Sequence, residues 1–124
     1  MNFAQRYPLT LGLTVCIVAL SLMYTGHTQL DSTPFIDKMV HASIYATLSL
    51  ALWWESRTHG FKWVLTVVVF PIAFSGVMEL LQAYCTTYRA GEWLDLAANS
   101  LGVVLATSIT GCVLWLSGHF TQRS

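Results

Sequence analysis

Charge is what this sequence has least of. Only 10% of its 124 residues are Asp, Glu, Lys or Arg, where a soluble domain carries about 25%. Six cations against six acids sum to a formal net charge of +0, which leaves no basic surface for a nucleic acid. Long polar stretches poor in apolar residues are missing as well, and their absence excludes intrinsic disorder. The three cysteines, Cys16, Cys85 and Cys112, form no C-x-x-C pair, so neither a zinc site nor a redox motif is expected from them. No internal repeat or low-complexity segment is seen. The connections between the apolar segments are too short to hold a soluble domain.

What is present is hydrocarbon. Hydrophobic residues make up 55% of the chain, and the mean hydropathy is +0.58. A helix crosses the bilayer core with about 20 mainly apolar residues. Four stretches qualify, at 9–25, 37–54, 63–84 and 95–117. Past their opening turns they are interrupted only by His41 in the second, by Pro71, Glu79 and Gln82 in the third, and by Asn99 in the fourth. Runs such as Val64–Ala73 do not alternate as the strands of a membrane barrel would. The segments also lack the polar face that a water-soluble helical bundle needs. The expected fold is an all-α integral membrane protein, a single domain of four transmembrane helices over residues 1–124.

Cations set the expected direction. With both termini cytoplasmic, Arg6, Arg57, Lys62 and Arg123 all lie inside, which satisfies the positive-inside rule. Lys38 and Arg89 alone are then outside. Trp53, Trp54, Trp63 and Trp115 fall at inner ends of spans and Trp93 at an outer end, as interfacial tryptophans should. The first span follows Arg6 in the manner of a signal peptide. The residues after Leu20, Ser-Leu-Met-Tyr-Thr-Gly, offer no A-x-A-like cleavage site, so retention is expected. The expected location is the cell membrane, crossed several times. Asp31 and Glu55 read as loop charges, and His27, His59 and His119 as solvated.

The remaining polar residues gather at one level. Asp37, His41 and Tyr45 are spaced i, i+4, i+8, which puts them on one face of the second helix, with Lys38 beside them. Ser75, Glu79 and Gln82 share a face near the outer end of the third helix. Arg89, Glu92 and Asp95 lead into the fourth, with Asn99 one turn beyond Asp95. Ionisable residues inside a membrane are costly and mark function by default. His41 and Glu79 are the two that lie well within spans. Asp95 can alternatively be a helix N-cap, and Gln82, Asn99 and Tyr45 can simply join helices by hydrogen bonds. Ala98, Gly102, Ala106 and Thr110 recur every four residues, which suits close helix packing in lipid. Pro71 is placed to kink the third helix below Glu79.

The ordered set D-K-x-x-H-x-x-x-Y, then E-x-x-Q, then R…D-x-x-x-N-x-x-G resembles the VanZ-like family. Here these are Asp37, Lys38, His41 and Tyr45; Glu79 and Gln82; and Arg89, Asp95, Asn99 and Gly102, over about residues 36–106. Glu92 stands where relatives tend to carry an acidic residue. The resemblance implies a small bacterial multi-spanning protein of a family named for an accessory factor of glycopeptide resistance, associated with lowered teicoplanin susceptibility. It implies no settled chemistry.

Three functions compete at this stage. The first is an outward-facing site that binds or modifies a cell-envelope lipid or glycan-lipid precursor. There Lys38 and Arg89 would hold a phosphate or carboxylate. His41, Glu79, Asp95 and Asp37 would move protons or orient the groups that do, and Tyr45, Gln82 and Asn99 would add contacts. The second is a small transporter or lipid-translocation component using Glu79 and His41 as a proton relay. The third is a non-catalytic interaction protein whose polar groups lock the helices. No serine, threonine or cysteine carries a nucleophile signature. The spacing of His41, Glu79 and Asp95 is not of the H-E-x-x-H type, so no metal or cofactor is expected. The expected partners are the lipid bilayer, a phosphorylated lipid or glycan-lipid and further copies of the chain, with no nucleic acid.

Overall fold

The computed structural model describes residues 2–22, 34–56, 60–85 and 93–122, and these are helical throughout except at Asn2 and Tyr7. The first turn, α1 (Phe3–Arg6), is closed by a reciprocal cap. Gln5 N donates to Asn2 Oδ1 at 2.9 Å, and Asn2 N donates to Gln5 Oε1 at 3.1 Å. Pro8 then opens α2 (Pro8–Leu22), a position where its missing N–H leaves nothing unpaired.

The next donors of α2 are satisfied from 45 and 46 residues away. Leu9 N and Thr10 N donate to the Glu55 carboxylate at 2.6 and 2.9 Å, and Thr10 Oγ1 donates to it at 2.7 Å. Burial pushes the Glu55 carboxyl up, but the hydrogen bonds from Thr10 and Leu9 outweigh it and hold the group below its ordinary value. Glu55 is therefore no idle loop charge. It is an anionic cap on α2, supplied by the last turn of α3 (Pro34–Ser56).

The next helical segment is made of α4 (Gly60–Val64), a π-helical stretch (Leu65–Val69) and α5 (Phe70–Cys85). Gly60 opens it at a φ of 62°, in the region that favours glycine. The expected irregularity at Pro71 is there, and its form is specific. Proline has no N–H to give to the carbonyl four residues back, and that carbonyl belongs to Val67, inside the π-helical stretch. Ser49 on α3 donates its hydroxyl to Val67 O at 2.6 Å, and the pair is fully buried. The acceptor that Pro71 strands is thus satisfied by a neighbouring helix.

The last helix is α6 (Trp93–Gln122). Lys38 meets Asp95, so α3 and α6 begin at the same end of the molecule. Glu55 meets Leu9, so α2 and α3 run in opposite directions. A core of Ile17, Tyr45, Leu48, Leu52, Met78 and Val103 draws three side chains from α3 and one each from α2, α5 and α6. At Gly102 the backbones of α6 and α3 come close: an added Cβ would lie 2.9 Å from the Cα of Ala42. Gly102, Ala106 and Thr110 are buried and Ala98 half-buried, as the four-residue recurrence of small residues implies.

Two helical stretches, Gly60–Tyr84 and Trp93–Gly118, are long and apolar enough to cross a membrane. The described part of α2 is apolar but shorter, and α3 carries its polar face along one side. The outer surface is strongly apolar, including Val77 and Leu80 on α5 and Leu101, Leu105 and Ile109 on α6. Faces of that kind are unusual on soluble monomers.

Candidate functional site

The polar residues meet at the end of the molecule where α3 and α6 start and α5 stops. The first layer comes from the opening turns of α3 and α6. The Lys38 ammonium contacts Asp95 Oδ1 directly and lies 4.0 Å from Asp37 Oδ2. His41 Nε2 lies 3.7 Å from Asp37 Oδ1. The side chains of Asp37, Lys38 and His41 are half-buried, and Asp95 is 7% exposed. Asp95 is the third residue of α6, inside the first turn, where an acid also suits the helix dipole. One oxygen each from Asp37 and Asp95 and one nitrogen of His41 all fall within 4.8 Å of one another.

The second layer lies one helical turn deeper. Asn99 Nδ2 donates to Ser75 Oγ at 2.8 Å, and Tyr45 hydrogen-bonds the same serine with Glu79 close by. Ser75, Asn99, Tyr45 and Glu79 are all buried. The Tyr45 ring packs toward Phe74 at 6.3 Å between centroids. Asn99 Oδ1 is buried and has no hydrogen-bond partner among the described residues. Such an orphan oxygen in a native interior calls for a water or an ion.

Beside this layer a cleft of about 290 Å³ opens between α5 and α6. Its lining is mostly apolar, from Gly76, Leu80, Ala83 and Leu96, together with Glu79. Tyr84 and Trp93 flank it and are among the most exposed aromatics of the chain. The volume sits near the lower end of the roughly 300–1,000 Å³ range of small-molecule sites.

Six of the nine expected site residues come together: Asp37, Lys38, His41, Asp95, Tyr45 and Asn99, with Glu79 adjoining Tyr45. Gln82 is engaged differently. Its amide donates to Ser21 O at 3.0 Å, so it ties α5 to the end of α2. Arg89 lies outside the described residues, as do Glu92, Asp31, Arg57, His27, His59 and Arg123. Cys16 and Cys112 are free and exposed. The side chains of Cys85 and His119 are outside the described set. Sequence reasoning passed over Ser75 as a hub and Glu55 as a cap. Ser75 had a signal in its four-residue spacing from Glu79, but Glu55 had none. No family profile, curated protein or solved structure matches this chain.

Proposed function

We propose that the chain is a four-span membrane protein of the VanZ-like type, with both termini cytoplasmic, whose outward-facing polar site binds or modifies a cell-envelope lipid or glycan-lipid precursor. The observation that carries this reading is the joining of the two-layer polar cluster to an apolar cleft that Glu79 lines. A lipid has the same two parts. Its chain suits the α5–α6 cleft, and its head group suits the layer of Asp37, Lys38, His41 and Asp95.

The chemistry available there is proton transfer and ion pairing. The His41 imidazole can give or take a proton, and its Nε2 lies 3.7 Å from Asp37 Oδ1. Glu79 is the acid or base nearest the cleft. Lys38, with Arg89, provides positive charge for a phosphate or carboxylate. The aromatic pair Tyr84 and Trp93 suits the interface depth at which a head group meets its chain.

Native mass spectrometry of the chain released from mild detergent tests this directly. The wild type is expected to retain a co-extracted lipid, and Glu79→Gln is expected to lose most of it while remaining folded. Equal lipid retention by the two proteins would overturn the reading.

A further inference from the structure

We propose that Asp37, His41 and Asp95 form a binding site for one divalent transition-metal ion, and that the Lys38 ammonium is the resident cation that holds this site until the ion displaces it. Two helices supply the donors. Asp37 and His41 are one turn apart on α3, and Asp95 comes from the first turn of α6. Their three donor atoms already lie within 4.8 Å of one another, with the Asp37–His41 edge at 3.7 Å. Around a zinc-sized ion, bonds of about 2.0–2.2 Å put neighbouring donors roughly 3–3.5 Å apart. The remaining closure is of the order of an ångström, within reach of half-buried side chains.

A mixed set of one imidazole and two carboxylates suits zinc or manganese, whereas an all-oxygen set would suit calcium or magnesium. Three protein donors also leave positions open, the pattern of sites that take water or an anion as a further ligand.

Lys38 is the second part of the argument. Its ammonium touches Asp95 and lies 4.0 Å from Asp37, so the two carboxylates already converge on a positive charge. A lysine stem is long and flexible, and its head group is a point charge without directional coordination. An ion bonded to three donors outcompetes it and turns it aside. The layer beneath adds an independent sign: Asn99 Oδ1, one turn along α6 from Asp95, is buried and lacks a donor among the described residues. A buried acceptor of this kind beside the donor set suits a polar ligand at this end of the molecule. Linear spacing shows only the Asp37–His41 half of the set, since Asp95 is distant in sequence.

The inference does not depend on the lipid reading, and the test keeps the two apart. Untagged full chain in detergent, stripped with a chelator, is titrated calorimetrically with Zn²⁺ or Mn²⁺, and with Mg²⁺ for comparison. One Zn²⁺ or Mn²⁺ per chain is expected, with Mg²⁺ much weaker. Asp37→Asn, Asp95→Asn and His41→Gln are each expected to weaken binding by more than about tenfold. Lys38→Met is expected to bind the ion more tightly than wild type. That gain cannot come from misfolding, so it keeps the test decisive where a loss would not. Absence of saturable binding in wild type overturns the proposal, as does binding that survives in an Asp37→Asn/Asp95→Asn double variant. A chain that retains lipid through Glu79 but takes up no ion loses this inference alone.

Discussion

Glu55 does for α2 what a neighbouring serine or aspartate does for most helices, yet it sits on another helix. Its three hydrogen bonds to Leu9 and Thr10 make the start of α2 depend on a carboxylate being charged. The folded value of this carboxyl lies below its ordinary 4.5. A group depressed by folding contributes stability above its unfolded value, and that contribution is lost as pH falls through the folded one. The wild type is therefore expected to lose thermal stability as pH drops below the ordinary glutamate value. Glu55→Gln is expected to be less stable at neutral pH by about 1 kcal/mol, the usual worth of a cap, and to show a flatter decline into acid. Melting curves of both proteins in one detergent check this. Parallel curves would rule out the charged cap.

At the scale of elements, the most specific feature is the exchange between Pro71 and Ser49. Ser49→Ala leaves the Val67 carbonyl buried without a donor, which costs about 1–3 kcal/mol. Pro71→Ala returns a backbone N–H at the position four residues on. In that background Ser49→Ala is expected to cost little, and a double-mutant cycle by reversible unfolding measures the difference. Equal costs in both backgrounds would detach Ser49 from the proline. Gly102 controls the other contact. A methyl there meets the Ala42 backbone, which cannot move aside as a side chain can. Gly102→Ala is expected to destabilise by about 1–3 kcal/mol. It also pushes α3 from α6, which separates Lys38 from Asp95. A crosslink between cysteines placed at positions 38 and 95 reports that separation.

Much of the helical layout was legible in the chain, because apolar runs and i, i+4 spacing act locally. The face of Asp37, His41 and Tyr45, the small-residue register through Gly102 and the disturbance near Pro71 were all readable in that way. The partners of these features were not. Nothing in the run Trp53–Ser56 announces that Glu55 caps Leu9 and Thr10, and nothing around Gln82 names Ser21. Those contacts join residues 46 and 61 positions apart, and such pairings carry no periodic signal. The sequence marks Glu79 as an acid within a span but not that it lines a cleft, since a cleft depends on how α5 leans on α6.

The whole-molecule claims are orientation and use. A thiol introduced in the Arg57–Lys62 connection is expected to react with a membrane-impermeant reagent only after cells are permeabilised. Reaction in intact cells would invert the topology. The central claim is that the polar end serves a ligand rather than holding the helices together. Interhelical hydrogen bonds in membranes average about 0.6 kcal/mol, so a purely structural cluster and a binding site respond differently to truncation. The most direct measurement is thermal unfolding of wild type, His41→Ala and Glu79→Ala, each with and without added envelope lipid. The account predicts that all three unfold within a few degrees of one another without lipid, and that only the wild type is stabilised by it. Variants that collapse in the absence of lipid, with no lipid-dependent shift in wild type, would contradict it.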